Sequence, residues 1–118
     1  MIQEGQQKKA KYWGKFMVKK VSRLNQPIAC YSDEIGEVFF NPTLVKIEWE
    51  KSPSENGHEF WFPYWVTIKN KEKYGQFAPM MGEGAFLELL RNSIKQDFFS
   101  DAFLRNLGKT ITEKISPQ

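Results

Sequence analysis

Residues 60–65 read Phe-Trp-Phe-Pro-Tyr-Trp, and a strand built from them carries aromatic rings on both faces. A half-buried strand normally alternates apolar with polar side chains. Here Phe60, Phe62, Tyr64, Val66 and Ile68 form one row, and Trp61, Pro63, Trp65, Thr67 and Lys69 form the other. The first row can supply a core. The second then needs a cover of its own, whether a further chain segment, a second subunit or a ligand.

Residues 44–50 are the natural partner of this strand, with Val45, Ile47 and Trp49 on one face and Leu44, Lys46, Glu48 and Glu50 on the other. Between the two strands, Asn56-Gly57 is the strongest short hairpin signal, because a type I′ turn needs two residues at positive φ. A two-residue turn there sets opposite each other residues whose numbers sum to 113, so Trp49 meets Tyr64, Ile47 meets Val66 and Val45 meets Ile68. Every one of these pairs is apolar, and Trp49, Phe62 and Tyr64 are expected to face the helices. On the outer face Trp65 then lies across from Glu48 and diagonal to Lys46, with Pro63 across from Glu50. Pro53 marks the tip as irregular or as an edge.

Residues 16–21, 27–31 and 36–40 are further short strand candidates, the first two separated by Asn25-Gln26-Pro27, and Asn41-Pro42-Thr43 reads as a turn. The C-terminal third has helical periodicity. Phe86, Leu87, Leu89, Leu90 and Ile94 recur at helical spacing against Glu88, Arg91 and Lys95. Ser100 suits the N-cap of a second helix in which Phe103, Leu107, Ile111 and Ile115 repeat every four residues. Gly108 leaves open whether 109–115 continue that helix or form a strand. Strands followed by helices make an α+β domain, an antiparallel sheet of about four to five strands with one or two C-terminal helices packed on one face.

With 118 residues the chain suits one domain, able to bury roughly two-thirds of its unfolded surface without staples. Its net charge of +3 is unevenly spread. Up to Pro27, Lys8, Lys9, Lys11, Lys15, Lys19, Lys20 and Arg23 stand against Glu4 alone, and the remainder is mildly acidic. Residues 1–11 lack apolar periodicity and are expected to be a disordered basic leader, ahead of a domain spanning 12–118. Cys30 is the single cysteine and His58 the single histidine, which excludes an internal disulfide and a Cys/His zinc site. No metal or cofactor is expected. The setting is expected to be a reducing cytoplasm, with no membrane span and no signal peptide.

Few residues invite catalysis. His58 falls in a hairpin tip, whereas a general base must be positioned and partly desolvated. Cys30 lies in an apolar strand candidate and reads as a small buried hydrophobe. Asp33-Glu34 and Glu48/Glu50 are carboxylate pairs without contrasting surroundings. The glycine-rich stretch 75–84 permits close backbone approach ahead of a helix, but it lacks the Lys-Ser/Thr pair of a phosphate loop and carries Glu83.

The leading expectation is therefore a non-catalytic binding domain. Its aromatic hairpin face, centred on Trp61 and Trp65 with Lys46, Tyr12 and Trp13 nearby, would bind a protein partner, most simply a second copy of the chain. One alternative is nucleic-acid binding through Lys8, Lys9, Lys11 and Lys15, opposed by the acidic residues placed beside Trp61 and Trp65. Another is a small-molecule or enzymatic pocket near 75–84.

Overall fold

The computed structural model describes residues 2–10, 12–51, 58–75 and 80–116. Among them it forms an α+β fold: β1 (Gln7–Ala10), β2 (Gly14–Arg23), β3 (Ile28–Ser32), β4 (Gly36–Trp49), β5 (His58–Trp61), β6 (Tyr64–Ile68), β7 (Lys71–Tyr74), α1 (Glu83–Lys95) and α2 (Asp101–Ile115). β4 is the spine of the sheet. Its first half lies between β3 and β6 and its second half between β2 and β5, all antiparallel. β1 extends the sheet beyond β2, and β7 beyond β6.

Asn41-Pro42-Thr43, expected to turn, runs straight through the middle of β4. A proline fits there because its neighbours part at that level. Pairing with β2 ends at Arg23↔Thr43 and pairing with β3 begins at Ile28↔Phe40. Thr43 N–H donates to Pro63 O at 3.0 Å on the β6 side. The adjacent nitrogen of Pro42 therefore points the other way, into the gap between β2 and β3, where no ladder bond is lost.

The hairpin register also differs from expectation. Val45 pairs with Trp61 and Lys46 with Phe60 on β5, and Asn41 pairs with Trp65 and Pro42 with Tyr64 on β6. These partners sum to 106, seven short of the value set by Asn56-Gly57, a dipeptide that lies outside the described residues. An odd offset exchanges the faces of one strand. Trp61 and Trp65 thus join Val45, Ile47 and Trp49, while Phe60 and Tyr64 join Lys46 and Phe40. Trp49 does not meet Tyr64 or the helices; its ring packs edge-on to Phe16 at 5.3 Å.

The core on the tryptophan face comprises Ile2, Phe16, Val18, Val45, Ile47 and Trp65, flanked by Ala10, Val21, Trp49 and Trp61. A bulge between Val18 and Lys20 makes this possible. Val18 and Val21 are an odd number of residues apart, and the one extra residue returns both to the same face.

Nor is the leader a free arm. β1 pairs with β2, Gly5 N–H donates to Val18 O at 2.8 Å, and Val18 N–H donates to Gln6 O at 2.8 Å. Gly5 adopts φ 84°, a bend that a residue with a Cβ makes at a cost, and Ile2 beyond it is buried in the core. The carbonyl of Ile2 accepts a hydrogen bond from Arg23 Nη2. One apolar residue ahead of a polar run thus anchors the segment.

α1 covers the opposite face. Ser22 Oγ donates to Leu89 O at 3.2 Å, Asn92 Nδ2 to Arg23 O at 2.9 Å, and Lys20 Nζ to Gln96 O at 2.7 Å. The helix ends with Asp97 at φ 60°. Phe98 N–H donates to Ser93 O and Asp97 N–H to Ile94 O, the paired bonds of a Schellman motif. The reversal drives Phe98 into the interior at 1% exposure. α2 then starts at its expected cap, Phe103 N–H donating to Ser100 Oγ at 3.1 Å, and it continues as helix past Gly108. No residue of α2 is buried.

Candidate binding surfaces

Two surfaces combine apolar rings with charge. The first is a cavity of about 410 Å³ at the β1 edge of the tryptophan face, lined by Lys8, Lys9, Ala10, Phe16, Ile47, Trp49, Glu59, Phe60 and Trp61. Lys8, Phe16 and Trp49 form one cross-strand row over β1, β2 and β4. Phe16 meets Trp61 edge-on at 5.9 Å, and Trp61, Trp65 and Tyr74 continue the aromatic cluster along the sheet. Glu59 turns its carboxylate to Trp49, accepting from Nε1 at 3.1 Å. Beyond the cavity, the turn joining β1 to β2 presents Tyr12 and Trp13, 81% and 77% exposed.

The second surface is a groove of about 510 Å³ lined by Lys46, His58, Phe60, Phe98, Phe99, Ser100, Ala102 and Phe103. Phe60 lies 5.1 Å from Phe99, and Phe99 stacks on Phe103 at 4.6 Å. These rings attach the first turn of α2 to the sheet. Further along, Ile111 and Ile115 are exposed and Leu107 is half-buried, so the stripe predicted by their spacing has little of the chain against it.

The residues expected to form one site are therefore dispersed. Trp65, at 8% exposure, belongs to the chain's own core. Trp61 is half-buried in the first cavity, Lys46 lines the second, and Tyr12 and Trp13 stand at the β1–β2 turn. Lys9 pairs with Lys15 on the face that also carries Glu48, whereas Lys8 pairs with Phe16 on the tryptophan face; Lys11 lies outside the described residues. Glu48, expected beside Trp65, instead pairs with Met17 and His58, 3.7 Å from Lys19 Nζ and 3.3 Å from His58 Nε2.

Cys30 is exposed rather than buried. Ala29, Cys30 and Tyr31 of β3 are all exposed, because the outer part of the β3–β4 hairpin lies beyond the cover of α1. Residues 76–79 of the glycine-rich stretch lie outside the described residues, and among the described residues the cavities above are lined by other parts of the chain. Burial lowers the affinity of the Arg23 guanidinium for its proton, and the charge of Glu72 partly restores it. A guanidinium starts so high that it stays charged at neutral pH. Among the described residues no group of three or more His, Cys, Asp or Glu could hold a metal ion, and no helix is long and apolar enough to cross a membrane.

The chain matches no protein-family model, no curated protein and no solved structure. The functional reading consequently rests on the two surfaces themselves.

Proposed function

We propose that the chain is a non-catalytic interaction domain that associates with a second copy of itself through the apolar stripe of α2 and the groove beside it. One observation carries this reading: a helix of 15 residues has no buried side chain, yet places Phe103, Leu107, Ile111 and Ile115 at four-residue intervals. Isolated helices shorter than about 12–15 residues are marginal in water, and most helices owe their stability to packing of an apolar face. A second copy offers the same stripe in return, so one two-fold contact covers both helices. Phe60, Phe99 and Phe103 continue the apolar surface into the groove, where buried aromatic anchors contribute most to association. A reducing, cytoplasmic setting belongs to the same reading, supported by the exposed thiol of Cys30.

Sedimentation at a series of concentrations tests it. The wild-type chain should form dimers. Leu107→Glu and Ile111→Glu should yield folded monomers, because neither side chain contributes to the core. A wild-type chain that stays monomeric at high concentration removes self-association.

A further inference from the structure

The cavity on the tryptophan face holds two opposite charges that do not meet each other. We propose that it binds a small zwitterion carrying a methylated ammonium and an anionic group, the ammonium among Phe16, Trp49 and Trp61 beside Glu59 and the anion on Lys8.

Strand alternation puts all five side chains on one face. Lys8, Phe16 and Trp49 form a cross-strand row, while Glu59 and Trp61 stand across from Ile47 and Val45, which share the face of Trp49. Lys9 and Phe60, also at the cavity, alternate onto the other face. In the sheet β2 and β4 separate β1 from β5, yet residues of both outer strands line the cavity, so the sheet curls around it. Its volume of about 410 Å³ lies in the usual range of small-molecule sites.

The rings and the charges together select the guest. Trp49 and Trp61, both half-buried, stand at 67° and 76° to the ring of Phe16, with centroids 5.3 and 5.9 Å from it. Several steeply inclined rings beside a carboxylate suit a cation. Glu59 already accepts from Trp49 Nε1, and no other side chain lining the cavity is a hydrogen-bond acceptor. A primary ammonium would leave N–H groups unsatisfied there, a cost that methylation removes. Among the described residues neither Lys8 nor Glu59 forms an ion pair, with each other or with another residue. Lys8 would repel a lone cation and Glu59 a lone anion. A zwitterion answers both.

The test is titration of the full chain with phosphocholine and with glycine betaine, followed by tryptophan fluorescence and calorimetry. Both should bind saturably. An alkyl phosphate of the same shape, with carbon in place of the quaternary nitrogen, should bind about tenfold more weakly than phosphocholine. Glu59→Gln, which keeps an acceptor for Trp49 Nε1, should cause a similar loss. Lys8→Gln should weaken phosphocholine but not tetramethylammonium, which has no anionic group. Phosphatidylcholine vesicles, titrated in parallel, distinguish a lipid headgroup from a free solute as the source of the same chemistry. Circular dichroism verifies that each variant is folded. Leu107→Glu should bind like wild type, which separates this site from the α2 surface. Absent binding of phosphocholine, glycine betaine and the vesicles overturns the proposal. So does equal affinity for the alkyl phosphate, or a phosphocholine affinity untouched by Glu59→Gln or by Lys8→Gln.

Discussion

Val45 stands across from Trp61 in the β4–β5 ladder, and Asn41 across from Trp65 in the β4–β6 ladder. The two indoles meet edge-on at 6.3 Å and 68°. Together with Phe16 and Tyr74 they form a continuous aromatic layer over Val18, Val45 and Ile47.

The layer makes opposite demands on neighbouring residues of the same aromatic run. Trp65→Ala should cost about 3–5 kcal/mol, the usual range for a truncated core tryptophan. Phe60→Ala, at a site 48% exposed, should cost clearly less. Urea denaturation of the two variants checks the order, and a reversal would require the alternative register.

Gly75 offers a second check on packing. A Cβ there would lie 2.0 Å from Cε2 of Tyr64, while the Gly75 N–H donates to Tyr64 O at 2.9 Å and holds the backbone in place. Gly75→Ala should destabilise by about 1–3 kcal/mol, the range for overpacking. Adding Tyr64→Leu should recover part of the loss, measured as non-additivity in a double-mutant cycle.

The left-handed residue at the end of α1 should respond in the other direction. Asp97 has φ 60° in a position where glycine is usual. Asp97→Gly should raise stability by up to ~1 kcal/mol, since the left-handed conformation costs a residue with a Cβ roughly 1–2 kcal/mol and glycine returns some of that as unfolded-state entropy. Thermal melts of wild type and variant measure it.

Ser100→Ala removes the side-chain cap of α2, a loss of about 1 kcal/mol to a helix. Because no residue of α2 is buried, the loss should fall on helix content and on the affinity of the proposed dimer. The urea midpoint of the sheet, followed by tryptophan fluorescence, should hardly move.

The class of fold was legible because amphipathic alternation in 44–50 and helical spacing in 86–94 and 103–115 are local properties. Register was not. It depends on which turn closes the hairpin, and Asn56-Gly57 is a strong local signal that the long-range ladders overrule. The continuity of β4 was hidden for a related reason: whether Pro42 breaks a strand depends on whether a neighbour needs its N–H, and only the gap between β2 and β3 answers that. The leader concealed its anchor in one residue, Ile2, amid a polar run. The lysines of residues 8–15 were visible as a basic cluster. Their division between two faces, Lys8 beside Phe16 and Trp49 and Lys9 with Lys15 on the side of Glu48, follows from a strand pairing that composition does not reveal.

β4 takes part in four of the six ladders formed by the described residues. β4 runs through both halves of the sheet, so the sheet should melt in a single cooperative step. α2 stands outside that cooperativity. Its amides should exchange with solvent at the rate of its own fraying when the chain is alone, and, on the proposed self-association, at the rate of dissociation. On that proposal one polypeptide holds two thresholds of order: an internal one, met by folding, and a concentration-dependent one, met by company.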